Sequence, residues 1–135
     1  MNEVELKNRT MDFALRVIRL TQALPASPES SVIRHQLVAC GTAVGANYRT
    51  ACRSRSMKEF AARLAVVEEG ADECGFWMDL IMRSGLLKPD RVRALCLEAS
   101  ELTAIMTASQ RTARSRAGAR NSPNPKSKIE NPKSC

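Results

Sequence analysis

The sequence contains few of the residues from which catalytic sites are built. Its 135 residues include one histidine, one tryptophan, one tyrosine and three phenylalanines. Ser54, Ser56, Ser100 and Ser109 and the cysteines have no histidine nearby that could activate them, so no nucleophilic triad can be assembled. No glycine-rich loop of the phosphate-binding type is present either. We therefore expect a protein that is not an enzyme and that has no cofactor.

The cysteines are not spaced as metal ligands. They stand at positions 40, 52, 74, 96 and 135 without a CxxC pair, which excludes the ordinary zinc spacings and argues against a disulfide framework. The N-terminal segment is acidic and lacks the apolar core of a signal peptide. Apolar runs are only a few residues long, too short to span a membrane. We expect a cytoplasmic protein with reduced thiols and no membrane partner.

Positive charge is concentrated near the C-terminal end of the chain. The net charge is +7, yet residues 1–110 carry 14 basic against 13 acidic side chains. Residues 111–135 carry seven basic side chains against Glu130 alone. These seven are Arg111, Arg114, Arg116, Arg120, Lys126, Lys128 and Lys133. Because periodicity is lost from Ser115 onward, we predict a disordered basic tail over residues 115–135.

Four segments of the remaining chain have helical periodicity. Apolar residues recur every three or four positions over about residues 9–24, 30–55, 56–85 and 89–113. The third segment opens with a capping box, from Ser56 to Glu59, and closes at Gly85. Because the connections are short, neighbouring helices must be antiparallel. The sequence predicts an all-α, up-and-down antiparallel four-helix bundle over residues 1–114.

Two glycines, Gly41 and Gly45, lie inside the second helical segment. Each costs about 1 kcal/mol relative to alanine, so we expect close approach by a neighbouring helix or subunit, with a bend as the alternative. Several apolar residues also lie outside the main stripes and form a second apolar surface, which favours a closed oligomer. They are Ala14, Ile18, Val66, Trp77, Leu80 and Ile105.

Arginines are clustered where the second helix turns into the third. Arg49, Arg53 and Arg55 precede the turn and Arg63 follows it, so together they form a plausible phosphate-binding surface. The alternative is that Glu59, four residues before Arg63, pairs with it along the helix. Arginines of the tail extend the candidate surface: Arg111, Arg114, Arg116 and Arg120.

Other conspicuous side chains have simpler interpretations. Glu69, Asp72 and Glu73 share a helical face, but di-metal centres in bundles also need Glu-x-x-His pairs, which the sequence lacks. We therefore expect these carboxylates to face solvent or arginines, with no metal site. Tyr48 and Trp77 could stack on bases, although core or interface anchoring is the more frequent use of such residues.

Several separate motifs resemble a known family. They are Ala46–Ser56 followed by Glu59-Phe60, Glu68–Leu80, Glu101–Met106, and the short pairs Arg9-Thr10, Phe13-Ala14 and Leu24-Pro25. Together they resemble the four-helix-bundle proteins encoded in intervening sequences of bacterial 23S ribosomal RNA genes, over roughly residues 6–115. The family is similar in fold to the accessory variability proteins of retroelements, which bind a reverse transcriptase and nucleic acid.

The resemblance implies a homopentameric bundle and no catalytic activity. Asn47, Tyr48, Glu73 and Trp77 match signature positions of the family, and we expect them at a helix or oligomer interface. Gly70 stands where a glutamate is expected. Two functions follow as hypotheses: an oligomeric scaffold that binds RNA or DNA electrostatically through its arginines and tail, or a protein-interaction module, such as a partner of a nucleic-acid-processing protein, without nucleic-acid binding of its own.

Overall fold

The structure, a computed structural model, describes residues 1–121, with side chains up to position 119. Within this range the chain forms four helices and no strand: α1 (Glu3–Gln22), α2 (Pro28–Ala51), α3 (Met57–Ser84) and α4 (Pro89–Asn121). Each helix packs against the next in sequence, and α4 returns to make a smaller contact with α1. This confirms the predicted up-and-down four-helix bundle. None of the described helices is long and apolar enough to cross a membrane.

Local capping signals set the helix ends. The Ser56 hydroxyl accepts a hydrogen bond from the Glu59 backbone N–H at 3.0 Å, and the Glu59 carboxylate accepts one from the Arg55 N–H at 2.6 Å. Gly85 ends α3 with a φ of 77°, in the left-handed region that glycine enters without steric cost.

At the N-terminal end of the chain, the Asn2 side chain caps α1. This cap starts α1 at Glu3, earlier than the predicted start near Arg9.

Helix α4 continues past its predicted end. The loss of apolar periodicity predicted an end near Ala113 and a tail from Ser115, but α4 runs to Asn121. Once nucleated, a helix is extended one hydrogen bond at a time, and alanine and arginine favour it without needing a buried face. The boundary predicted between residues 114 and 115 thus lies inside α4. The disorder predicted for residues 122–135 lies outside the described part of the chain.

The core lies along the axis of the bundle and is built from the predicted stripes. Its largest fully buried side chains are Phe13, Leu37, Leu64, Met78, Ile81, Leu102 and Met106.

The two glycines of α2 lie where α1 approaches that helix closely. A Cβ at Gly41 would lie 2.8 Å from Val17 Cγ1, and one at Gly45 would lie 3.4 Å from the carbonyl oxygen of Thr10. Close approach by a neighbouring helix therefore accounts for Gly41 without a second subunit.

The second apolar surface is smaller than the sequence pattern indicates. Ala14 and Ile105 are buried inside the bundle, and Trp77 and Leu80 are half-buried against its core. The physical reason is that each helix of a bundle faces two neighbours, so its apolar face is wider than a single stripe. Of the six residues expected on that surface, two are exposed, Ile18 and Val66.

Candidate nucleic-acid interface

The topology gathers four helix ends at one end of the bundle. α1 and α3 begin there, and α2 and α4 end there, because consecutive helices are antiparallel. We call this region, formed by residues 1–7, 48–60 and 109–119, the basic end. It contains most of the arginines that the sequence singles out as candidates for phosphate binding.

Three of those arginines are exposed around the end of α2. Arg49 lies in the last turn of the helix, and Arg53 and Arg55 lie in the turn that leads to α3. None of the three side chains forms an ion pair within residues 1–119. Their charges face solvent beside the C-terminus of α2, whose dipole favours cations. These arginines are free to contact an anion.

Arg63 has a different role. Its guanidinium donates to the Thr50 carbonyl oxygen at 3.0 Å and to the Glu59 carboxylate at 3.2 Å. It therefore links the start of α3 to the end of α2. The ion-pair alternative describes Arg63 better than phosphate binding does.

The end of α4 adds a second group of arginines. Arg111 and Arg116 are exposed. Arg114 donates to the Gln110 side-chain oxygen at 3.3 Å, and the buried Gln110 in turn donates to Glu68 of α3. Because Arg111 and Arg116 are five residues apart, they project from sides of the helix about 140° apart. Arg120 is in the last turn of α4, and its side chain lies outside the described part.

A cavity of about 490 Å³ opens at the basic end between all four helices. Its lining is mixed, with Glu3, Ser109, Thr112 and Arg116 as its polar members. The apolar members are Met1, Leu6, Tyr48, Met57, Phe60 and Ala113. A second cavity of about 220 Å³ shares Glu3, Met57 and Phe60 with it and includes Arg55. Arg116 thus lines one, and Arg55 the other, of two adjoining cavities.

The signature positions taken from the resemblance are not gathered at one site. Tyr48 is 3% exposed and belongs to the core, where burial raises the pKa of its hydroxyl. Asn47 is half-buried beside it on α2. On α3, Trp77 donates its indole N–H to Glu73 at 3.3 Å and packs edge-on against Phe76. That exposed phenylalanine was not singled out from the sequence, because a lone aromatic gives no signal of its exposure.

Gly70 lies at the contact between α3 and α2. A Cβ there would be 3.4 Å from Val44 Cγ2 and 3.8 Å from the Cys40 carbonyl oxygen, so the position faces α2. The neighbouring Glu69 is exposed, about 100° around the helix, and so does not occupy the same place. Among the described residues, no three histidine, cysteine or carboxylate side chains are grouped as metal ligands.

Comparison with known proteins places these features in a family. The model of the 23S rRNA-intervening sequence protein family matches residues 2–108. No curated protein matches the chain. Among solved structures, the chain is similar to a protein of unknown function from the S23 ribosomal protein family of Bacteroides thetaiotaomicron, with 23% sequence identity and a TM-score of 0.73 over 79% of this chain and 99% of that one.

The solved structure supports the fold alone, since its identity to this chain is low. The family match has more weight because it covers α1, α2, α3 and most of α4. The arginines from Arg111 onward lie beyond it. By this match, the chain belongs to the 23S rRNA-intervening sequence protein family.

Proposed function

We propose that this protein is a non-catalytic helical scaffold that binds RNA or DNA electrostatically through its basic end. The observation that carries the proposal is the meeting of two arginine groups from distant parts of the sequence. Arg49, Arg53 and Arg55 come from the end of α2, and Arg111 and Arg116 from the end of α4. All five are exposed, and none forms an ion pair within residues 1–119.

Acidic side chains are outnumbered at the basic end, which contains Glu3, Glu5 and Glu59 against eight lysines and arginines. Glu3 is paired with Lys7 at 3.1 Å, and Glu59 is paired with Arg63 at 3.2 Å. The surplus positive charge thus belongs to side chains that reach solvent, as phosphate contacts require. Further basic residues follow the end of α4 in the sequence, beyond position 121. Such a surface neutralises phosphates and releases counterions, without reading base sequence.

A salt titration of binding to a single-stranded RNA tests the proposal. The slope of log K against log salt should be reduced by about 2 when Arg49, Arg53 and Arg55 are all changed to alanine, at about 0.7 per lost phosphate contact. Deleting residues 115–135 should flatten the slope further. The matched control changes Arg19, Arg91 and Arg93, three exposed arginines at the opposite end of the bundle, and should leave the slope nearly unchanged.

Absence of affinity at about 50 mM salt, where electrostatic binding is strong, would contradict nucleic-acid binding. Equal effects of the two triple variants would contradict the basic end as its location, because both remove the same net charge. In either case the fold of each variant is checked by circular dichroism.

A second candidate function is association with copies of itself or with a protein partner. An apolar stripe on α1 favours it: Met11, Leu15 and Ile18 are 51%, 42% and 36% exposed. These side chains flank an apolar groove of about 260 Å³ against Thr42 and Gly45 of α2. Exposed apolar stripes of this kind mark interaction surfaces.

We propose that this stripe supports a closed oligomer, the pentamer that the family resemblance implies. Light scattering should then give a mass several times that of the 14.9 kDa chain, and Leu15→Glu should lower it. Val32→Glu is the matched control, since Val32 is an exposed apolar residue of α2 outside the groove. A monomer at micromolar concentration would contradict self-association. The stripe would then be interpreted as the binding surface for a different protein, such as one that processes nucleic acid.

A further inference from the structure

We infer that the cavity at the basic end receives an unstacked nucleobase, so that the protein prefers single-stranded nucleic acid; this inference rests on the nucleic-acid binding proposed above. Electrostatic binding alone gives no preference for bases over bare sugar–phosphate. The cavity supplies what the arginines lack, namely a recess with an aromatic ring and other apolar side chains beside the phosphate-binding charges.

The size and lining of the cavity suit a flat heterocycle. Its volume of about 490 Å³ lies in the roughly 300–1,000 Å³ range of small-molecule sites. Phe60 lines both this cavity and its smaller neighbour, and it is only partly buried. An aromatic ring at such a place stacks on a base of any sequence, because every base has a π-face. The Met57 thioether, which also lines both cavities, is a polarizable partner for such a ring.

The two cavities also have polar lining residues. Arg116 lines the main cavity and Arg55 the adjoining one, so a phosphate on either side of the base has a cationic partner. Ser109 offers a hydroxyl on α4, and Glu3 offers a carboxylate on α1. Hydroxyl and carboxylate groups form hydrogen bonds with the edges of bases. An aliphatic ligand could form no hydrogen bonds with them.

A duplex cannot use this recess. Its bases are stacked and paired, and extruding one costs free energy that a single strand does not expend. A duplex would therefore contact only the exposed arginines, and a single strand would contact both arginines and cavity. A single strand without bases is limited to the arginines in the same way, so comparing it with a strand that carries bases separates the cavity from the electrostatic surface.

The test compares two ligands of equal charge: a twelve-nucleotide thymidine oligomer and a twelve-unit oligomer of abasic sugars. The full-length protein should bind the thymidine oligomer about tenfold more tightly, the effect of one good stacking contact. Phe60→Leu keeps an apolar side chain of similar size but removes the π-face, and should reduce this preference to less than about threefold. Ser109→Leu fills the cavity from α4 and should reduce the preference in the same way while leaving Phe60 unchanged.

Phe76→Leu is the matched control, because Phe76 is an exposed aromatic of the same helix that lines neither cavity. It should leave the preference intact. Equal affinity of the wild-type protein for the two oligomers would overturn the cavity inference, while a steep salt dependence for both would still support the basic end. A preference that survives both Phe60→Leu and Ser109→Leu would also overturn it. Failure of both oligomers to bind at low salt would overturn the proposed function as well.

Discussion

Gly41 of α2 lies directly against Val17 of α1. A Cβ atom at position 41 would come within 2.8 Å of Val17 Cγ1 and 2.9 Å of Cγ2, closer than carbon atoms approach in folded proteins. Val17 is fully buried, and its branched side chain would have to shift to make room for that atom. The absence of a side chain at Gly41 therefore fixes how closely α1 and α2 pack.

Replacing Gly41 with alanine should destabilise the bundle by about 1–3 kcal/mol, the cost of overpacking a core, although alanine is intrinsically the better helix former. The double variant Gly41→Ala/Val17→Ala should recover part of the stability that Gly41→Ala loses. Urea unfolding followed by circular dichroism measures the free energy of unfolding of both variants. Gly75→Ala is the control, because no atom lies within 4 Å of a Cβ there. It should stabilise α3 by up to about 1 kcal/mol; a similar gain for Gly41→Ala would refute the close contact.

The ion pair between Arg9 and Glu98 should contribute more than the surface pairs. The Arg9 guanidinium donates to both oxygens of Glu98, at 2.7 and 2.8 Å, and the two side chains are 25% and 14% exposed. The hydrogen bond to Glu98 raises the pKa of Arg9. The pair also joins α1 to α4, where the helices otherwise make their smallest contact. Glu98→Gln should cost about 1–2 kcal/mol, since the partly buried Arg9 loses its two short charged hydrogen bonds and keeps only the longer contact with Glu101, at 3.5 Å.

Asp79→Asn provides the comparison for this pair. Asp79 bonds Arg83 at 3.2 Å on the surface of α3, and such exposed pairs contribute about 0.5 kcal/mol or less. Hydrogen exchange should show faster opening of α1 in Glu98→Gln and little change in Asp79→Asn. Equal, small losses of stability in both variants would mean that Arg9 and Glu98 do not hold α1 to α4.

Tyr48 should make the fold sensitive to alkaline pH. Burial, with a further contribution from Cys52, raises the pKa of Tyr48 well above its ordinary value. In the unfolded chain the hydroxyl ionises near pH 10, whereas in the folded chain it stays protonated to higher pH. The stabilisation associated with the neutral hydroxyl is therefore complete below about pH 10 and declines as pH rises toward the folded-state pKa.

Absorbance at 295 nm measures this directly, because Tyr48 is the only tyrosine of the chain. The native protein should titrate at higher pH than the same protein in concentrated urea. Tyr48→Phe should lose less stability than the wild type between pH 9 and 11, the interval around the ordinary tyrosine pKa of about 10. Coincident native and denatured titrations would show that Tyr48 is exposed.

The cysteines should differ in reactivity according to their burial. The sulfur atoms of Cys40 and Cys74 lie 3.2 Å apart in the core between α2 and α3. The hydrogen bond to Cys40, together with burial, raises the pKa of Cys74. Cys52 and Cys96 are half-buried, and burial raises their pKa values as well. The hydrogen bond from Cys74 lowers the pKa of Cys40, but the sulfurs of both residues are buried. Because a reagent must reach the thiolate, alkylation of the native protein near neutral pH should be slowest at Cys40 and Cys74.

Peptide mapping after a timed alkylation provides the measurement. In concentrated urea the thiols of Cys40, Cys52, Cys74 and Cys96 should react at similar rates, which controls for local sequence effects. Native-state labelling of Cys74 as fast as that of Cys96 would contradict the packing of α2 against α3.

The sequence determined the features that depend on near neighbours along the chain. The Ser56 cap and the Gly85 terminator are local chemistry, and the apolar stripes follow from the helical period alone. The pairing of Arg63 with Glu59 could be predicted for the same reason, because the two residues are one helical turn apart. The end of α4 was placed too early because apolar periodicity reports a buried face, and the last turns of this helix do not need one.

Only the tertiary structure decided which distant residues meet. The sequence indicated that something approaches Gly41, but the partner is Val17, 24 residues earlier on another helix. Likewise, the cavity beneath Arg116 is lined by residues of all four helices, so no segment of the sequence contains its signal. Helix periodicity is set by backbone geometry within a few residues. The basic end and its recess depend on the antiparallel order and register of four helices, which only packing against one another establishes.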